Sequence, residues 1–417
     1  MEQDGFFSDA ELASSSPPGC GAGCQLYQHC RSARMPVTGK GEKGILIVAE
    51  APGEEEDVRG TQLIGKAGQR LRKELATFGI DLDRDCWKTN AVICHPPKDR
   101  SPTYTEICAC RPNLLASIAK LEPTLVVLLG KAAMESAIGH SNPSIAFGKK
   151  RGFGLVRGIP IPEHTFGCWM LNTYHPSYVM RMDFDPSVPK VWHNELSKAF
   201  DCLDVDLPDL PNDAHLHCTQ KPVQVEAFLR NRILKSKPVI AFDYETTGKK
   251  PFAKGHDVVS LGIAMDGHAW SFPLMGKQWN GVRKLWAEIL EDSDIHKVAH
   301  NTAFERMWSE KIFGVDPSGW VCDTCVLAHV EDCRPSYSGL EVLSYLKLGA
   351  ASYKDELKPY KGASKQDEEM YGANALNRMK DAPIDKLLQY NARDALYTLL
   401  IYEQYLKTGV SDGAVYG

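Results

Sequence analysis

Hydrophobic positions along the chain follow two different rhythms. GILIVAE (44–50), TLVVLLG (124–130) and CWMLNTY (168–174) are unbroken apolar runs of strand length, and CWKTNAV (86–92) is a weaker one. Between them GQRLRKELATFG (68–79) and EICACRPNLLASIAKL (106–121) carry a helical period, and VWHNELSKAFDCL (191–203) reads as a closing helix. Strands buried on both faces and alternating with helices predict a doubly wound α/β sheet. DVDLPDLPNDAHLH (204–217) then breaks the pattern, being polar, Pro-containing and aperiodic. After it VIAFDYETT (239–247), DVVSLGIAM (257–265) and HAWSFPL (268–274) predict three strands in quick succession, and KVAH (297–300) a fourth. Helices follow, the last over IDKLLQYNARDALYTLLIYEQYL (384–406). Strands first and helices after predict a mixed sheet of a different kind. The expected division is a disordered leader over 1–19, a first domain over 20–203, a linker over 204–234 and a second domain over 235–410.

Composition agrees with two domains. The 417 residues exceed one ordinary core, and 43% hydrophobic with 24% charged residues describes a globular chain. No run of eighteen apolar residues predicts a membrane span, and the acidic, Ser/Pro-rich start is unlike a signal peptide. The expectation is a cytoplasmic protein of a bacterial or virus-infected cell. Net charge is −5, so nucleic-acid binding has to come from local basic patches, such as KKRG (149–152), and from bound cations.

Thirteen cysteines bring in chemistry. CGAGCQLYQHC places Cys20, Cys24 and Cys30 near the start, while TNAVICHPPKDRSPTYTEICACRPN places Cys94 and Cys110 sixteen residues apart, with Cys108 between. Four such thiolates hold zinc or an iron–sulfur cluster; buried unligated thiols are the bland alternative. Acids supply a second candidate. Asp243 and Glu245 in FDYETTG are two apart on a strand and share a face. Tyr390 and Asp394 in QYNARDALYT are four apart on a helix and share a side. Converging acidic segments suggest hydrolysis assisted by two divalent cations.

The ordered motifs AEAPGEEED (49–57), GKAG (65–68), TNAVICHPP (89–97), LLGKAA (128–133) and YHPS (174–177), with the Cys94/Cys110 pair, resemble the family 4 uracil-DNA glycosylases. The resemblance implies a three-layer α/β/α fold over about 20–203 and a [4Fe–4S] cluster. Cys94, Cys110 and Cys24 (followed by x-Leu) match its ligands. Its first pair is usually C-x2-C, whereas Cys20 and Cys24 are separated by three residues; Cys20 is the expected fourth ligand and Cys30 the substitute. His175 would donate to uracil O2, Asn90 would read the base edge, and Glu50 would provide polar contacts near the water. Ala51 follows where other glycosylase families carry a catalytic Asp. Leu63 stands where the family has a stacking Phe, a loss of about 1 kcal/mol of stacking.

FDYETTG, HNTAFERMW (300–308) and Tyr390-x3-Asp394 resemble the Tyr branch of the DEDD 3′→5′ exonucleases, as in the proofreading domain of family A DNA polymerases. An RNase H-like fold is implied, with Asp243, Glu245, Glu305 and Asp394 holding two Mg²⁺ or Mn²⁺ ions and Tyr390 orienting water. Glu305 replaces the usual Asp and is one methylene longer. Asp323 in CDTC is expected to be structural. The implied function is a two-part DNA enzyme acting on uracil-containing, single-stranded or 3′-ended DNA, with no polymerase palm after the last helix and a separate polymerase as partner. Two rivals are a first domain that docks uracil or DNA without turnover, and an exonuclease directed at RNA.

Overall fold

The structure is a computed structural model and describes residues 24–138, 152–252, 254–351, 353 and 357–407. The expected leader, Cys20 and the Lys149–Arg151 stretch lie outside the described residues. Two compact units emerge, one within Met1–Asp209 plus Tyr345–Ala351, the other within Leu210–Ser344 plus Ser352–Gly417.

The first unit is built on a five-stranded sheet of β1 (Ile45–Ala49), β2 (Cys86–Asn90), β3 (Leu125–Leu129), β4 (Pro160–Glu163) and β5 (Cys168–Thr173), in the order β2-β1-β3-β5-β4. All neighbours are parallel except β4, which runs antiparallel to β5. Ile45, Leu46, Ile47 and Val48 are all fully buried, so both faces of the central strand are covered, as its unbroken apolar run requires. The helices labelled in this unit are α1 (Glu54–Arg59), α2 (Lys66–Ala76), α3 (Tyr104–Leu121), α4 (Lys131–Ala137), α5 (Pro176–Arg181) and α6 (Ser187–Phe200). Leu71 and Leu75 of α2 and Trp192 and Leu196 of α6 join Ile45, Ile47 and Val127 in one core. With α4 packed on β1 and β3, and α3 on α4, the unit has three α/β/α layers.

The second unit carries β6 (Leu216–Cys218), β7 (Ile240–Thr246), β8 (Val258–Met265), β9 (His268–Pro273), β10 (Lys297–Ala299) and β11 (Trp320–Asp323) in the order β11-β10-β7-β8-β9-β6. The meander β7-β8-β9 is antiparallel, whereas β6, β10 and β11 pair in parallel. Its labelled helices are α7 (Pro222–Phe228), α8 (Asn280–Glu291), α9 (Thr302–Phe313), α10 (Thr324–Glu331) and α11 (Ile384–Lys407). Helix α11 lies across β7, β8 and β9. Its close approach needs Gly262, where a Cβ would come within 2.5 Å of the Asn391 carbonyl oxygen.

The expected linker over 204–234 is corrected by this fold. Its second half forms β6 and α7, followed by a π-helical turn over Leu229–Leu234. Val225, Leu229 and Ile233, four residues apart, are buried in the core of the second unit, a helical stripe overlooked among the charges of KPVQVEAFLRNRILK.

Candidate active sites

In the first unit the strand ends converge. Glu50 follows β1, Asn90 ends β2 opposite Ala49, and His175 lies two residues past β5. These are the carboxyl ends of parallel strands, where open α/β sheets bind ligands. His175 precedes Pro176, which holds it in extended backbone (φ −68°, ψ 138°) and begins α5 at its preferred position. His175 therefore caps that helix. The Ser177 backbone N–H donates to Nδ1 at 3.2 Å, and the Ser177 hydroxyl lies 2.8 Å from the same nitrogen. A backbone amide only donates, so Nδ1 carries the lone pair and the ring proton sits on Nε2. Burial holds the imidazole below its ordinary pKa, against the opposing charge of Glu50. His175 is thus a neutral donor. Gly130, with φ +88°, lets the β3 end approach it; a Cβ there would come within 3.1 Å of the His175 Cβ.

Asn90 is 2% exposed, and its Nδ2 has no hydrogen-bond partner among the described residues. A buried amide donor left unmade costs about 1–3 kcal/mol, so this atom is ready to bond a ligand. Leu63 is 3% exposed, packs into the helical core and has left-handed backbone (φ 57°). Its carbonyl lies where a Cβ on Gly68 would be, so the GKAG motif seats α2 on this turn.

Beside these strand ends, Cys24, Cys30, Cys94 and Cys110 gather in one small cluster with Leu26, Val92 and Ile107. None of the four is in a disulfide. The Arg34 backbone N–H donates to Cys94 Sγ at 3.3 Å and the Ile93 N–H to Cys110 Sγ at 3.4 Å. Burial pushes the Cys94 thiol up to about 12, and the neighbouring thiols Cys30 and Cys110 push the same way. Sulfur donors crowded together and receiving amide N–H groups fit an iron–sulfur cluster.

In the second unit Asp243, Glu245 and Asp394 each offer a carboxylate oxygen, all within 4.8 Å of one another. β7 presents the first two from one face, and α11 delivers the third. This is a hard oxygen donor set, suited to Mg²⁺ or Mn²⁺. Asn391 Nδ2 donates to Asp243 Oδ2 at 2.8 Å, while its Oδ1 accepts from the Ser260 and Ser271 hydroxyls at 3.0 and 3.2 Å. Tyr353 donates to Asp394. Tyr390 stands at the triad, its phenol pushed well above the ordinary range by burial and by Asp394 and Glu245, and it receives Lys361 Nζ at 2.8 Å.

Glu305 does not join this group of three. It is 2% exposed on α9, with Oε2 lacking a partner among the described residues. Burial, then the charges of Asp323 and Glu245, push its carboxyl well above the usual carboxylate range. Asp323 bonds the chain instead. It accepts from the backbone N–H groups of Asn301, Thr302, Cys325 and Val326, holding the starts of α9 and α10 together. Asn391, Tyr353 and Lys361 were not read from the sequence. Asn391 had a signal, standing one helical turn before Asp394; the other two lie in an aperiodic stretch that offers none.

Residues 36–196 match the Uracil DNA glycosylase superfamily, and residues 218–408 match a 3′-5′ exonuclease family. The type-4 uracil-DNA glycosylase of Thermotoga maritima is 38% identical over 173 residues, 41% of this chain and 83% of that protein. The type-4 enzyme of Saccharolobus solfataricus is 31% identical over 183 residues, 43% of this chain and 80% of that protein. A DNA polymerase of Bacillus phage SP01 is 25% identical over 405 residues, spanning 89% of this chain but 41% of that protein. Through its first unit the chain belongs to the type-4 uracil-DNA glycosylase family, and through its second it carries a 3′-5′ exonuclease domain.

Proposed function

We propose that the first unit hydrolyses the N-glycosidic bond of uracil in DNA and that the second removes nucleotides from DNA 3′ ends. The observation carrying the first half is the buried Nδ2 of Asn90, unpaired among the described residues, at the same end of the sheet as a neutral His175. An enzyme acting on a base must take it out of the stack and read its edge in a closed pocket. Asn90 Nδ2 bonds the O4 side of uracil. Nε2–H of His175 donates to O2, where charge collects as the base departs. Glu50 contacts the water side of the sugar. The cysteine cluster holds a [4Fe–4S] group that pins the 89–113 loop and takes no part in bond cleavage.

In the second unit Asp243, Glu245 and Asp394, with Glu305 beside them, hold two divalent cations. When bound, these cations supply a hydroxide and neutralise the departing 3′ oxygen. Tyr390 orients the attacking water, and Asn391 holds Asp243 in its ligating rotamer.

The test is uracil-containing single-stranded DNA incubated with full-length Glu245→Ala protein, then treated with alkali. Strand scission at uracil is expected, falling by about a hundredfold or more in a further His175→Ala variant. Because His175 is held below its ordinary value of about 6.5, the excision rate should stay level as pH falls through 6.5 and drop only below it. Uracil-DNA binding without scission would leave the docking reading in place of catalysis. Faster digestion of RNA than of a matched DNA strand would overturn the DNA assignment of the exonuclease.

A further inference from the structure

We infer that Cys30, rather than Cys20, supplies the fourth sulfur ligand, making the set Cys24, Cys30, Cys94 and Cys110. This rests on the iron–sulfur reading above and deepens it.

The geometry around Cys30 is built, and its parts come from distant stretches of sequence. Asp57, 5% exposed on α1, accepts from the backbone N–H groups of Arg31 at 2.8 Å and Ser32 at 2.9 Å. The two residues after Cys30 are thereby fixed by one buried carboxylate. Further on, the Arg34 N–H reaches Cys94 Sγ, and the Met35 N–H donates to the Ile93 carbonyl at 2.9 Å. Met35 itself is 2% exposed. Residues 31–35 are thus held by α1 at one end and by the segment bearing Cys94 at the other, and Cys30, just before them, lies against the Cys94 thiol. On the other side a short 3₁₀ turn over Leu26–Gln28 connects it to Cys24, with Leu26 buried inside the cluster.

A purely structural cysteine does not account for this. Cys30 is only half-buried, so its packing contributes little, and a thiol–thiol contact with Cys94 is weak beside what a shared cation would contribute. Spacing points the same way. Cys20 and Cys24 have three residues between them rather than the two of the family pair, while the five residues between Cys24 and Cys30 fold into the turn that closes the cluster.

The experiment uses full-length protein purified without oxygen, as wild type and as Cys20→Ser, Cys30→Ser and Cys108→Ser. Iron and acid-labile sulfide are measured per chain, together with the electron paramagnetic resonance signal after reduction. Wild type, Cys20→Ser and Cys108→Ser should each hold about four irons, and Cys30→Ser should fall at least tenfold. Full iron in Cys30→Ser with loss in Cys20→Ser overturns the assignment. Wild-type protein without iron instead removes the iron–sulfur reading itself, so the two failures are distinct. Maleimide labelling of iron-loaded wild-type protein guards against a misfolded variant. Cys20 should be modified and Cys30 protected until the iron is oxidised and chelated. Cys30 labelled at once, with Cys20 protected, counts against the proposal.

Discussion

Asn391 shows how one side chain links an acid of the triad to the sheet. Its amide N–H₂ donates to Asp243, and its carbonyl is filled by two serine hydroxyls from β8 and β9. Partners that orient a ligand in this way are each worth about 10–100-fold in metal affinity or activity. Asn391→Ala should therefore raise the Mg²⁺ concentration for half-maximal nuclease activity about tenfold or more, with the chain still folded. An unchanged Mg²⁺ titration would remove the role. Glu163 makes a second prediction, this time for stability. Its carboxyl is pushed up to about 8 by burial, against the Thr165 N–H that bonds it at 2.8 Å. The folded chain retains a proton that the unfolded chain releases above about 4.5. This contribution is fully present below that pH and lost as pH rises to about 8. Glu163→Gln should therefore gain stability relative to the wild type as pH rises from 5 to 8, by a difference on the order of a few kcal/mol that appears as a widening gap in melting temperature; a constant gap would refute it. The motif residues were legible because their spacing is itself geometry: two on a strand, four on a helix. Tyr353 and Lys361 were not, because only the tertiary fold brings them to Asp394 and Tyr390.

At the scale of elements, α11 is the part on which the acidic site depends. It spans twenty-four residues and places Tyr390, Asn391 and Asp394 on the sheet. Gly262 is what allows it to sit so low, since a methyl there would press on helix backbone at 2.5 Å. Gly262→Ala should lower stability by about 1–3 kcal/mol and reduce nuclease activity further than the lost stability explains, because the helix must move away from Asp243. Calorimetry with a nuclease assay reads both, and normal values for either would contradict this packing. Apolar runs revealed the parallel strands, since burial on both faces leaves no polar alternation. β4 stayed hidden because Pro160 and Pro162 argue against a strand. They are tolerated there because β4 is an edge strand. The linker misled for the reverse reason, its charged residues masking the stripe of Val225, Leu229 and Ile233.

For the whole molecule, the two units have separate sheets and separate cores. Full-length Glu245→Ala should lose more than about a hundredfold of its nuclease activity while uracil excision continues, and His175→Ala should do the opposite. Loss of both activities from either change would show that the sites are not independent. The two-part plan was readable because each half carries several motifs in a fixed order. The phage polymerase that aligns with 89% of this chain shows both halves meeting one relative in a single stretch. The two sites also differ in the softness of their donor atoms. Carboxylate oxygens release their ions to EDTA, so a chelating buffer should silence 3′-end trimming and leave base release running. Sulfurs yield first to oxidants, so air and peroxide should threaten the uracil side of the molecule while sparing the other.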